Sequence, residues 1–143
     1  MLNSIFKGKS MSTGFKGKFH RQNMVSRFAK DLVRRSRSHC ELCGKNGVKL
    51  EAHEVPPLPE EPMVDACVFI CEGCHRQVDH PKNIMPTYWR CLNNALYSEV
   101  PAVQVLSFRL LKHLVAKGEH WAEELMEHAY LDPEIEEWAN EAE

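Results

Sequence analysis

The chain contains two short cysteine pairs, Cys40-Glu41-Leu42-Cys43-Gly44 and Cys71-Glu72-Gly73-Cys74-His75, which bracket two apolar runs. Each CxxC pair places two thiols on one tight turn, and four thiolates around one ion form the closed tetrahedral site that structural zinc prefers. We expect Gly44 and Gly73 to supply the positive φ that turns around a metal often need. The spacing therefore predicts a zinc-bound fold nucleus with four ligands: Cys40, Cys43, Cys71 and Cys74.

Two other uses of the six cysteines are open at this point. A disulfide framework is typical of small secreted chains, but we find no signal peptide. A thioredoxin-like redox pair needs one CxxC that opens a helix within a βαβ pattern, and no such pattern is visible. The gap of 27 residues between the two pairs exceeds the roughly 15–20 of common zinc ribbons. We attribute the excess to a proline-rich loop at 56–62, which cannot form regular structure.

Length and composition indicate one modest domain, since the chain has 143 residues of which 43% are apolar. The net charge of −2 conceals an asymmetry: residues 1–49 carry twelve Lys and Arg and two acidic residues, whereas 119–143 carry ten acidic residues and no Lys or Arg. We expect two solvated faces. The alternative is a basic N-terminal region that binds nucleic acid weakly and without sequence preference, shielded by the acidic tail.

The chain has no apolar run long enough to cross a bilayer. Reduced CxxC pairs favour the cytoplasm, because disulfides persist mainly in oxidising compartments. Cys67 and Cys91 each lack a CxxC partner, and we expect them to be core or helix residues rather than metal ligands.

Periodicity predicts an α+β fold: a small zinc-bound β-hairpin or treble-clef-like unit, followed by a C-terminal helical subdomain. We expect a disordered basic tail over 1–22, a zinc-binding unit with a leading helix over 23–82, and a helical subdomain with an acidic C-terminus over 83–143. Apolar residues recur at helical spacing over 24–37, and alternation over 48–55 indicates a half-buried strand. His53 and the neighbouring carboxylates would share the polar face of that strand.

A long ordered set of residues resembles the bacterial PhnA-like proteins, named for the alkylphosphonate operon. The set comprises Arg35-Ser36-Arg37-Ser38-His39-Cys40-Glu41-Leu42-Cys43-Gly44, Glu54-Val55-Pro56-Pro57, Trp89-Arg90-Cys91-Leu92-Asn93-Asn94, Ser98-Glu99-Val100-Pro101-Ala102-Val103-Gln104-Val105 and Tyr130-Leu131-Asp132. The resemblance covers roughly 24–143 and corresponds to the zinc-ribbon portion of that family, whose members usually continue into a small β-barrel. It implies a zinc-stabilised binding or accessory module, and the family name reflects genomic context without identifying a reaction.

A looser resemblance is to HNH endonucleases, whose ββα-metal motif is often bracketed by two CxxC pairs with a His after the last Cys. In that alignment His53 and His75 are ligands of a catalytic metal, and Glu54 takes the place of the histidine that activates water. The orienting Asn falls near Ala66. A carboxylate is a weaker base than an imidazole near neutral pH, so the resemblance implies an HNH-like scaffold with a degenerate site.

The structural alternative for both histidines is a half-exposed strand residue at His53 and a helix-start side chain at His75. We therefore hypothesise a zinc-stabilised binding or accessory module, and a metal-dependent endonuclease that uses His53, Glu54 and His75 is the alternative.

Overall fold

A two-stranded antiparallel sheet lies at the centre of the fold, which is α+β as predicted. The computed structural model describes residue 17 and residues 20–141. Strand β1 spans Leu50–Glu54 and strand β2 spans Cys67–Cys71. Leu50 lies opposite Cys71, and Glu54 lies opposite Cys67. Within the described part of the chain, no helix is both long and apolar enough to cross a membrane.

The helices flank this hairpin and continue beyond it. They are α1 (Ala29–Ser36), α2 (Glu72–Asp79), α3 (Leu92–Ala95), α4 (Pro101–Ala116), α5 (His120–His128) and α6 (Pro133–Asn140). In the described part of the chain, 3-10 helices lie at Val64–Ala66, Pro81–Asn83 and Pro86–Cys91. The last of these leads directly into α3.

One face of the hairpin packs on the N-terminal helical region. Cys67 and Phe69 of β2 form a small core with Val25 and Leu32. The single helix predicted over 24–37 is divided: residues 20–26 are helical, residues 27 and 28 form a turn, and α1 follows. Most of the tail predicted over 1–22 lies outside the described residues, and residues 20–22 belong to the first helical segment rather than to a disordered stretch.

The opposite face of the hairpin joins the main core, where Val68 and Ile70 pack with Trp89 and the apolar stripe of α4. The proline-rich loop, irregular as predicted, is bound to this core by Arg109, which is almost fully buried. Its guanidinium donates to the carbonyl oxygens of Pro56 at 2.6 Å and Trp138 at 2.7 Å. The Trp138 indole N–H also donates to Pro56, at 3.0 Å. These bonds connect the loop after β1 to α4 and α6.

Two candidate metal centres

The four cysteines of the two CxxC pairs converge. Their sulfur atoms all lie within 4.8 Å of one another. The Sγ atoms of Cys40 and Cys74 are 3.7 Å apart, as are those of Cys43 and Cys71. A tetrahedral ion with metal–sulfur bonds of about 2.3 Å requires ligand sulfurs about 3.8 Å apart. The cluster therefore has the donor set and the spacing of a tetrahedral metal site.

Backbone N–H groups stabilise a negative charge in this cluster. The N–H groups of Cys43 and Cys71 both point at the Cys40 sulfur, at 3.4 Å. The hydrogen bond between the Cys40 and Cys74 sulfurs is the main cause that lowers the pKa of Cys40, to about 4. The same bond raises the pKa of Cys74 well above its usual value. Without a cation the thiols thus share protons, because adjacent thiolates repel one another.

The two glycines of the pairs serve different purposes. Gly44 has φ +81°, as predicted, and ends the first CxxC turn. The prediction of a positive φ at Gly73 is wrong, because that residue lies in the first turn of α2. A Cβ on Gly73 would lie 2.9 Å from the Tyr88 hydroxyl oxygen. That hydroxyl is 3.3 Å from the Cys74 sulfur, so the missing side chain lets Tyr88 reach the cysteine cluster.

The other two cysteines lie outside the cluster. Cys67 is completely buried, with its thiol 3.4 Å from the Met63 carbonyl oxygen, and burial raises its pKa to about 11. Cys91 is partly buried, and burial likewise raises its pKa, to about 12. Both are protonated thiols at neutral pH and lack the geometry of ligands.

A second cluster forms where β1 meets α2. His53, His75 and Asp79 each offer a ligand atom, and these atoms lie within 4.8 Å of one another. The two imidazole rings are 5.5 Å apart between centroids and nearly perpendicular. The His75 Nε2 atom is 3.6 Å from an Asp79 carboxylate oxygen. Asp79 was not among the predicted site residues, although its position four residues after His75 on a helix places both side chains on one face.

The second cluster differs from the first in charge and exposure. Burial, followed by the charge on His75, lowers the pKa of His53 to about 4, so its ring is neutral near pH 7. A neutral imidazole has a lone pair to give to a metal. Asp79 is about half exposed and leaves one side of the cluster open to solvent. Two imidazoles and one carboxylate suit zinc and other first-row divalent ions and leave coordination positions free.

Glu54 does not join this cluster. Side chains alternate along a strand, so Glu51 and His53 share one face of β1 and Glu54 lies on the other. There Arg21 binds Glu54 through two N–H groups, at 2.7 and 2.8 Å, and also donates to the Pro59 carbonyl oxygen. The expectation that His53 and the carboxylates share one polar face thus holds for Glu51 and fails for Glu54. Ala66 lies in a 3-10 turn and offers no side-chain amide.

A groove of about 740 Å³ runs from the second cluster along β1. His53 and His75 are among its lining residues, Leu50 and Phe69 contribute apolar surface, and Arg21 lines it from the N-terminal helical segment. The groove therefore extends past both histidines of the second cluster.

Comparison with known proteins gives one informative similarity. No protein-family model matches the chain, and no solved structure matches it. The chain is similar to the type IV methyl-directed restriction enzyme EcoKMcrA of Escherichia coli (strain K12), with 36% identity over 62 residues. This similarity covers 36% of the chain and 22% of that enzyme's length. These comparisons do not support the PhnA-like resemblance, which stays a prediction.

Proposed function

We propose that the chain is a zinc-stabilised nucleic-acid-binding module in which a second divalent ion, held by His53, His75 and Asp79, binds backbone phosphate. The open three-ligand cluster carries this proposal. Structural metal sites saturate the ion with four protein ligands, whereas sites with three protein ligands leave a position for an outside oxygen. The groove that His53 and His75 line provides the path for that ligand.

Zinc is the ion that we assign to the four-cysteine cluster. A closed set of four thiolates at tetrahedral spacing is typical of structural zinc. The cluster joins the turn before β1, the end of β2 and the start of α2, so the ion would hold these elements together. Binding free energy at such a site is largely folding free energy.

Nucleic acid is the favoured anion for two reasons. EcoKMcrA, to which part of the chain is similar, is a restriction enzyme, a class of protein that acts on DNA. The described N-terminal region also carries solvated cations, such as Arg34 and Lys49, whose side chains are 72% and 83% exposed. The whole chain is slightly negative, so we expect weak, sequence-independent binding that falls as salt rises.

A metal-dependent endonuclease is the second candidate, favoured by the HNH-like pattern and by the similarity to a restriction enzyme. A divalent ion at such a site polarises a phosphoryl oxygen and offsets developing charge. The base in this hypothesis is Glu54, whose carboxylate is occupied by Arg21 on the other face of β1. Since an ion-paired carboxylate is a poorer proton acceptor, the geometry favours binding over cleavage.

Metal content and DNA affinity test the proposal together. Protein loaded with zinc should contain two ions per chain, and His75→Ala should contain one and remain folded. At low salt, His75→Ala should bind a labelled DNA duplex at least about fivefold more weakly, because one metal–phosphate contact is lost. The matched control is His120→Ala, which removes a 77% exposed imidazole far along the chain on α5. A single ion per chain, or equal DNA affinity in wild type and His75→Ala, would contradict the proposal.

Cleavage assays with magnesium, manganese or zinc separate the two candidates. We expect no cleavage by the wild type. DNA cleavage that His53→Ala abolishes would place the endonuclease first. Arg21→Met releases Glu54, so cleavage that appears in this variant and disappears in the double variant with Glu54→Gln would identify Glu54 as a latent base.

A further inference from the structure

We infer that Glu51 is a positioning residue for the second metal site: its carboxylate holds the His75 imidazole in the orientation that directs Nε2 to the ion. This inference rests on the proposed function. The Glu51 Oε1 atom is 3.2 Å from His75 Nδ1. The other oxygen, Oε2, lies 3.6 Å from the Lys49 ammonium.

The two ring nitrogens of His75 have different partners. A neutral imidazole carries a proton on one nitrogen and a lone pair on the other, and the hydrogen bond made by the first selects which nitrogen can bind a metal. Glu51 is an acceptor and therefore selects the tautomer with the proton on Nδ1. The lone pair is then on Nε2, the atom that lies 3.6 Å from the Asp79 carboxylate. A metal ion placed between this lone pair and the carboxylate would be bound by both.

The position of Glu51 on β1 makes the contact specific. Alternation places Glu51 on the same face as His53, two residues away, while α2 presents His75 to that face. One short stretch of strand thus provides both a ligand, His53, and the group that orients the ligand opposite it. No function assigned so far requires Glu51.

Fold stability does not explain this contact. The Glu51 side chain is 48% exposed and that of Lys49 is 83% exposed. Ion pairs in such surroundings contribute little to folding because water screens them. Removal of Glu51 should therefore leave the fold intact and act on the metal site alone.

The test is a cobalt(II) titration, followed by visible absorption, of protein that carries one zinc per chain, with the cysteine cluster filled and the more open second site emptied by mild chelation. Loss of a carboxylate partner of a metal-bound histidine typically weakens metal binding about 10–100-fold. We expect that loss in Glu51→Ala, with a changed cobalt spectrum and an unchanged unfolding midpoint before cobalt is added. In Glu51→Gln the amide oxygen still accepts from Nδ1–H, so affinity should be partly restored. The control is Glu72→Ala, which removes an exposed carboxylate from α2 and should change affinity less than about twofold.

The outcomes distinguish failure of this inference from failure of the proposed function. Equal cobalt affinity and spectra in wild type and Glu51→Ala would overturn the role of Glu51 and leave the site in place. Glu51→Gln as weak as Glu51→Ala would also overturn orientation through a hydrogen bond. A wild type that binds no second ion, with a titration identical to that of His75→Ala, would instead overturn the proposed function.

Discussion

Replacement of Gly73 by alanine tests how the zinc unit is connected to the region that follows it. In the first turn of a helix this change ordinarily stabilises a protein, by about 0.5–1 kcal/mol, because alanine has less backbone entropy to lose. Here the new Cβ would lie 2.9 Å from the Tyr88 hydroxyl oxygen, which must move. The move breaks the 3.3 Å contact with the Cys74 sulfur. In the zinc-bound protein the Cys74 sulfur would be a thiolate, and a hydrogen bond to a charged group contributes about 1.5–3 kcal/mol.

The net effect of Gly73→Ala should therefore be a loss of about 1–2 kcal/mol in the free energy of unfolding. Tyr88→Phe removes the hydroxyl and with it the obstacle, so Gly73→Ala should stabilise the protein by about 0.5–1 kcal/mol in that background. Urea unfolding at a fixed free zinc concentration, followed by circular dichroism, measures all four proteins. An effect of the same sign and size in both backgrounds would refute the argument that Tyr88 requires a glycine at this position.

Two further predictions concern the cysteines. Cys43→Ser or Cys74→Ser should give insoluble or zinc-free protein, because structural zinc supplies folding free energy. By metal analysis, Cys67→Ala and Cys91→Ala should retain full zinc. Loss of zinc in either alanine variant would show that the ligand set is wrong. Burial raises the pKa of Cys67 to about 11, so its thiolate is disfavoured in the fold, and the free energy of unfolding should fall by up to about 3 kcal/mol between pH 9 and 11. Urea unfolding of wild type and Cys67→Ala across that range should show that the free energy of unfolding depends less steeply on pH in the variant. Identical slopes would contradict the prediction.

Local sequence determined the hairpin and the convergence of its cysteines. The alternation around residues 50–54 and the apolar run before Cys71 depend only on which side chains a strand places on each face. Each CxxC pair brings two thiols together within one turn, and a hairpin whose first strand starts shortly after one pair and whose second strand ends at the other brings the four sulfurs close. The helix at Pro101–Ala116 follows in the same way from a continuous apolar stripe.

Strand alternation also indicated part of the second site. It places Glu51 with His53 and separates Glu54 from both, because successive side chains of a strand point to opposite faces; the expectation that Glu54 shares the face of His53 disregarded this alternation. The HNH-like resemblance brought His53 and His75 to one metal. Asp79 was missed, although its helical spacing from His75 is equally local, because exposed carboxylates are common and most of them are only solvated.

Tertiary structure alone decided the partners of the remaining groups. Glu54 is bound by Arg21, 33 positions away in the chain, and this contact changes a candidate base into half of an ion pair. Gly73 is required by Tyr88 rather than by its own φ. Periodicity specifies the face of a strand or helix on which a side chain lies. The packing of distant segments decides which other side chain contacts it on that face, and the chemistry of the site depends on that contact.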